Sequence, residues 1–280
     1  GNAGITVSYY QPLTKSTASQ LDSLKELSGE LAAGKVTTLV ILGGNPAFTA
    51  PADLDLAGNT KRAANSIYLG VENDETAAVS KWAIPGTYYL ESWGDAIAPD
   101  GTASIQQPTI APLFNGKTAA ELIAQIAGYK DQKAYDIVKN FWLPKVGGEK
   151  NWRKALHDGI IPNTSFAEVK PPVNYKPSSS AAAAQGIEVV FLQSTSLYDG
   201  RFANNAWMQE AADPMTKIVW DNGAVMSLAT AKQLGVADGD MIVIERNGRS
   251  LEIPALIQPG HADNSISIPV GYGRTVCGRV

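Results

Sequence analysis

The residues best suited to hold a ligand lie in a strand-end turn and a helix start. Gly43-Gly44-Asn45-Pro46 follows an apolar run at 36–42. The C-terminal end of a parallel strand is where open α/β sheets bind ligands. The two glycines let the backbone approach a phosphate or a ring, and Asn45 carries both a donor and an acceptor. An ordinary strand-to-helix turn would use the same four residues, so both readings stay open at this point. Asn73-Asp74-Glu75-Thr76 opens a helix after the next strand. Carboxylates there complement the helix dipole and serve as caps. Hydrogen bonding to a nucleotide edge from the neighbouring strand end is the functional alternative.

Other chemistries find less support. Glu91 and Asp95 flank Trp93-Gly94 and have the types of an acid/base pair, but a polar loop accounts for them equally. His157 falls near a helix end and His261 in the turn Pro259-Gly260-His261-Ala262-Asp263, with no serine or cysteine nucleophile in a triad-like setting. The single cysteine, Cys277, makes no internal disulfide and cannot hold an iron–sulfur cluster, which takes about four protein ligands. With two histidines beside it, a zinc site of the usual kind is short of ligands. Neither a Walker loop nor a complete dinucleotide glycine fingerprint is present. Net charge is −4, without the basic stripe that nucleic acid requires. No apolar run approaches the ~20 residues that cross a bilayer, so direct membrane insertion is not expected. The first residues lack the features of a signal peptide, and both ends read as cut from something longer. Charged residues make up 18% of the chain, a low share that suggests surface meant for burial against other polypeptide.

The elements that must position these residues are set by periodicity. Leu21, Leu24, Leu27 and Leu31 recur at helical spacing, with Ser16 as the expected N-cap and Gly34 as the stop. Residues 36–42 read as a buried strand of a parallel sheet. A helix is predicted next, with Pro51 and Asp53 in its first turn. A second strand covers 66–70, and Asn73-Asp74 caps a helix running to about Trp82. This rhythm argues for an open α/β sheet. Strand-like segments come next at 86–92 and 104–107, then helices at 118–127, 134–142 and 149–157 that cover the sheet or link it to other domains. Residues 171–186, rich in proline, serine and alanine, read as a linker between a domain at 1–170 and another at 187–280. In the second domain, strands are expected at 187–192 and 241–244. Asn247-Gly248 marks a two-residue hairpin. Leu251 and Ile253, then Ile266, Ile268 and Val270, alternate along further strands, with one helix at 228–234. Many short strands joined by tight turns suggest a small β-barrel.

The order of these segments carries a resemblance. Leu-Val-Ile-Leu-Gly-Gly-Asn-Pro (39–46), Asp-Glu-Thr-Ala (74–77), Ile-Pro (84–85) and Leu-Glu-Ser-Trp-Gly-Asp (90–95) resemble the third domain of the molybdopterin oxidoreductase superfamily. The stretch from Trp220 to Ser227, then 231–240 and the hairpin after it, is similar to that superfamily's C-terminal dinucleotide-binding domain, a barrel of double-psi type. Within the superfamily, residues 50–54, 89–95, 107–113 and 271–275 are similar to the large iron–sulfur subunit of alternative complex III, a bacterial membrane assembly that oxidises quinol.

The resemblance implies a retained scaffold without molybdenum and without catalysis of its own. Its partners would be the other domains of a parent subunit and neighbouring subunits on the periplasmic side of a bacterial membrane. Iron–sulfur clusters would sit in regions outside these residues, and no cofactor is expected in this chain. One departure supports that branch. Molybdenum enzymes of the superfamily often carry a His-Thr-Gly-Thr-Met-Thr-Arg-type loop early in the barrel, where this chain has Phe-Ala-Asn-Asn-Ala-Trp-Met-Gln (202–209). The alternative is the half of a working molybdenum oxidoreductase that binds molybdopterin guanine dinucleotide. Gly43, Gly44, Asn45, Pro46, Asp74, Glu75, Thr76 and Arg274 would then cradle the cofactor.

Overall fold

A computed structural model describes residues 2, 4–14, 18–129, 132–170 and 186–278. The chain divides into two compact units, Gly1–Lys176 and Pro177–Val280. The expected cap Ser16 and residues 171–185 of the expected linker lie outside the described residues.

The first unit opens with α1 (Gln20–Ala32), capped by Ser19, whose side chain accepts from the Asp22 amide at 3.3 Å. Gly34, in the left-handed region at φ 69°, turns the chain after it. Leu31 is buried with Leu39, Leu56 and Ala63, and Leu24 and Leu27 pack against that cluster. The chain then runs through β1 (Thr38–Leu42), α2 (Pro46–Thr49), α3 (Leu56–Thr60), β2 (Asn65–Gly70), α4 (Glu75–Val79) and β3 (Trp82–Pro85). The three strands form a parallel sheet in the order β1-β2-β3.

Three expectations are corrected within this stretch. The helix starting at Pro51 is broken in two: Ala50 is extended, Ala52–Leu54 is a single 3-10 turn, and Asp55 takes a left-handed conformation before capping α3 through the Gly58 amide. Proline forces its predecessor out of the helical region, which separates α2 from the 3-10 turn. The helix capped by Asp74 stops at Val79 rather than Trp82. Ser80 turns extended, its hydroxyl donates to the Thr76 carbonyl, and the Lys81 amide donates to the Ser66 hydroxyl, so Trp82 begins a strand. Residues 86–92 hold a 3-10 turn (Tyr89–Glu91) instead of a strand, because the Gln106 side chain takes up the carbonyls of Tyr89 and Ser92.

The later helices do not simply cover the parallel sheet. Strands β4 (Gly94–Ile97) and β5 (Ala103–Gln106) pair antiparallel. Helices α5 (Ala119–Ile126), α6 (Ala134–Val146) and α7 (Glu149–Asp158) precede β6 (Ile160–Ile161), which joins β5. Trp142 of α6 and Trp152 of α7 close over this second sheet with Ala103, Ile105 and Ile161. The first unit therefore has two cores, each built on three strands.

The second unit contains β7 (Glu188–Gln193), α8 (Ala206–Glu210), β8 (Ala224–Met226), α9 (Leu228–Leu234), β9 (Met241–Arg246), β10 (Arg249–Ile257) and β11 (Ser265–Val270). Asn247 and Gly248 turn the β9–β10 hairpin with φ of 52° and 75°, as a two-residue hairpin of this kind requires. Met226, Ala231, Ile253, Ile266 and Ile268 form the core. The strands make a mixed sheet in the order β7-β11-β8-β10-β9, and among the described residues β7 and β9 do not pair with each other. The closed barrel expected from the turn spacing is thus not seen. Strand β10 pairs antiparallel with β9 up to Pro254 and then parallel with β8 from Ala255.

Candidate functional site

The turn after β1 and the start of α4 lie side by side because β1 and β2 are adjacent and parallel, so their C-terminal ends face the same way. Gly43 and Gly44 are consecutive left-handed residues, with φ of 76° and 69°. That backbone is inexpensive only for glycine. The Gly43 amide stays tied to the Leu69 carbonyl of β2 at 2.8 Å, and Pro46 occupies the first turn of α2.

Asn45 joins the two segments. Its Nδ2 donates to Glu75 Oε2 at 2.7 Å, and its Oδ1 accepts from the Thr76 hydroxyl at 2.7 Å and the Thr76 amide at 3.2 Å. Thr76 Oγ1 accepts in turn from the Ala47 amide at 3.1 Å. Asp74 caps α4 by accepting from the Ala77 amide at 2.9 Å. The buried Tyr68 hydroxyl lies 2.7 Å from Asp74 Oδ2 and 2.8 Å from the Gly44 carbonyl, so its one proton serves two acceptors.

Tyr68 and Gly70 are the members of this network that sequence reasoning missed. They stand two apart on β2 and share a face of the strand. A Cβ at Gly70 would collide with the hydroxyl end of the Tyr68 ring, so that end lies across the space that a side chain at 70 would need. A tyrosine two residues before a strand-end glycine was the available signal.

Seven of the eight predicted site residues thus come together, and they bond chiefly to one another. Arg274 belongs to the other unit. Its Nη1 donates to the Gly200 carbonyl at 2.6 Å and its Nη2 to the Val276 carbonyl at 2.8 Å, which pins the segment before α8. In residues 202–209, Asn205 caps α8 by accepting from the amides of Trp207 and Met208. So arranged, the Asn45 amide, the Asp74 carboxylate and the Arg274 guanidinium each bond to protein groups.

The remaining candidates are structural. Asp95 Oδ2 accepts from the Trp142 indole at 2.6 Å, which ties β4 to α6, and Glu91 lies in the 3-10 turn before it. His157 lies 2.9 Å from Asp158, whose carboxyl is held below its ordinary range by His157 and then Lys154. His261 Nε2 is 2.9 Å from the Ser267 hydroxyl. Among the described residues, no group of three or more His, Cys, Asp or Glu could hold a metal ion.

A second concave feature lies wholly within the second unit. A small hollow of about 20 Å³, room for roughly one water molecule and partly open to solvent, is lined by Ser194, Thr195, Asp213, Asp221, Asn222 and Tyr272, among others. Burial alone would raise the Asp213 carboxyl. The amides of Thr216 and Met215 and the hydroxyls of Thr195 and Thr216 outweigh it and hold the group below its usual value. Tyr272 is pushed upward by burial and by the charges of Asp221 and Asp213, against a hydrogen bond from Ser194.

No protein-family model matches the chain, and no curated protein matches it. A solved structure does: acetylene hydratase from Pelobacter acetylenicus, at 13% identity and a TM-score of 0.66 over 89% of this chain. The chain spans 39% of the length of that protein. At this identity the likeness establishes the fold alone. No helix among the described residues is long and apolar enough to cross a membrane.

Proposed function

We propose that the chain is the scaffold and interaction region of a molybdopterin-oxidoreductase-like electron-transfer subunit, in a quinol-oxidising membrane complex of the alternative complex III type. It carries no bond-making residue of its own. In this reading the second unit is a descendant of the double-psi barrel that holds the dinucleotide in related enzymes, and the parent subunit lies on the periplasmic side of a bacterial membrane.

The observation that carries the proposal is the inward hydrogen bonding of the strand-end cradle. Cofactor binding needs donors aimed at the ligand. Here Asn45, Asp74 and Thr76 join β1, β2 and α4 instead, so a position that serves ligands in open α/β sheets serves cohesion. Large apolar side chains left in solvent support an interaction role: Trp207 is 85% exposed and Phe114 78%.

The test is metal and pterin analysis of the longer subunit purified from its native membrane. Iron without molybdenum and without oxidised-pterin fluorescence is expected. Stoichiometric molybdenum and pterin would replace this reading with the alternative, in which the chain is the dinucleotide-binding half of a working enzyme.

A further inference from the structure

We propose that Trp142 and Asp95 form a proton-coupled redox site. A diffusible oxidising radical takes one electron from the indole, and the indole N–H proton passes to the carboxylate. The site drains oxidising equivalents out of the aromatic core of the first unit. It goes beyond the scaffold reading and does not depend on it.

Three observations carry the inference. The first is an exit for the proton. Trp142 is 6% exposed, yet its Nε1 donates to Asp95 Oδ2 at 2.6 Å, and Asp95 is itself exposed. Loss of an electron makes an indole a far stronger acid. A carboxylate already at hydrogen-bond distance takes the proton without rearrangement and can pass it to water.

The second is the charge beside the ring. Lys145 Nζ lies 5.6 Å from the centroid of the Trp142 ring. An ammonium so placed opposes a positive charge on the ring. The ammonium disfavours a radical cation and the carboxylate accepts the proton, so electron and proton leave together and the ring ends neutral.

The third is a contrast within one core. Trp152 is 1% exposed and buried in the same cluster as Trp142, but its Nε1 has no hydrogen-bond partner among the described residues. Buried donors are nearly always satisfied, so this indole calls for a reason. An oxidised Trp152 has no group to take its proton and passes the charge on. Tyr135 stands next to it, with ring centroids 6.4 Å apart, and 4.8 Å from the partly exposed Trp93. Trp93, Tyr135 and Trp152 thus feed a buried pair of indoles, and the one with an acceptor is where the oxidation comes to rest.

The step balances. The N–H bond of Trp142 breaks, an O–H bond forms on Asp95, and the oxidising radical is reduced by one electron. A thiol in solution later returns an electron, and the proton goes back to the indole.

The experiment uses the full 280-residue chain with three exposed tryptophans replaced, as Trp82→Phe, Trp207→Phe and Trp220→Phe. Tris(bipyridine)ruthenium(III), made by a laser flash with a cobalt(III) ammine as electron acceptor, is the one-electron oxidant. Transient absorption and freeze-quench EPR read the product. A long-lived neutral tryptophan radical is expected, and Trp142→Phe should remove it. Asp95→Asn keeps an oxygen that can accept from the indole but cannot take its proton. The neutral radical should then form roughly tenfold more slowly, with the radical cation in its place. A merely structural Asp95 would leave the protonation state of the radical unchanged. If circular dichroism shows that Asp95→Asn does not fold, heavy water decides instead: slower formation of the neutral radical supports the site, and an unchanged rate overturns it. The site is also overturned if no tryptophan radical appears, if the long-lived signal survives Trp142→Phe, or if folded Asp95→Asn gives the same radical at the same rate. The molybdenum and pterin content of the parent subunit bears on the scaffold reading alone.

Discussion

Asn45, Thr76 and Tyr68 show how a polar residue can be consumed by its own fold. Each is partly or fully buried, and burial makes an unmet hydrogen bond costly. Tyr68→Phe removes the one proton that serves both the Gly44 carbonyl and Asp74. It should lower stability by about 2 kcal/mol in urea unfolding, with the fold retained. Thr76→Val removes a donor to Asn45 and the acceptor for the Ala47 amide, and a loss of about 1–3 kcal/mol is expected in the same assay. Asp213 gives a pH dependence whose sign is fixed by its partners. Its folded carboxyl is held below the ordinary value, so it adds stability above the usual aspartate range near 4. That stability is lost as pH falls through the lower, folded value. In acid denaturation, Asp213→Asn should flatten this limb for the second unit. Legibility at this scale was uneven. The types and spacing of Gly43–Pro46 and Asp74–Thr76 identified where two segments meet. Their partners could not be read, because a hydrogen bond between residues about 30 apart depends on strand order.

Elements were read best where a local rule decides. Helix α5 has the full capping box, with Thr118 accepting from the Glu121 amide and Glu121 reaching back to the Thr118 amide. Thr118→Ala should cost about 1 kcal/mol by thermal or urea melting. The helices α1, α6, α7 and α9, the hairpin at Asn247-Gly248 and the strands β1 and β2 were likewise visible in leucine spacing, turn residues or β-branched runs. Failures came where distant groups override local preference. Ser80 ended α4 because the Ser66 hydroxyl was there to take the next amide. The 3-10 turn Tyr89–Glu91 exists because Gln106 folds onto it. Helix α8, only five residues long and capped by Asn205, carries too little periodicity to be found. The division of β10 between two partners at Pro254 leaves no trace in alternation, since Leu251, Ile253, Ala255 and Ile257 continue one apolar alternation across it.

The whole molecule divides into two units that each contain their own buried core. Residues 1–176 and 177–280, produced separately, should each show cooperative unfolding and dispersed amide spectra. Failure of either fragment to fold would mean that the units depend on each other. The first unit is the more complex case. Its parallel sheet and its antiparallel sheet are packed by separate clusters, so hydrogen exchange should find two protected sets of amides with different opening energies. The change of composition between the two halves of the chain was legible. The separate antiparallel sheet was not, because β6 is two residues long and joins β5 only across the intervening helices.

The ring of Tyr68 lying across Gly70 has a consequence for inheritance. The two positions are linked: a side chain at 70 must displace the hydroxyl end of the ring at 68 from where it now lies, and with it the clasp between Gly44 and Asp74. Across relatives of this chain, these two positions should therefore drift as a pair. Departures from the pair should coincide with a strand-end turn released to meet something other than its own fold.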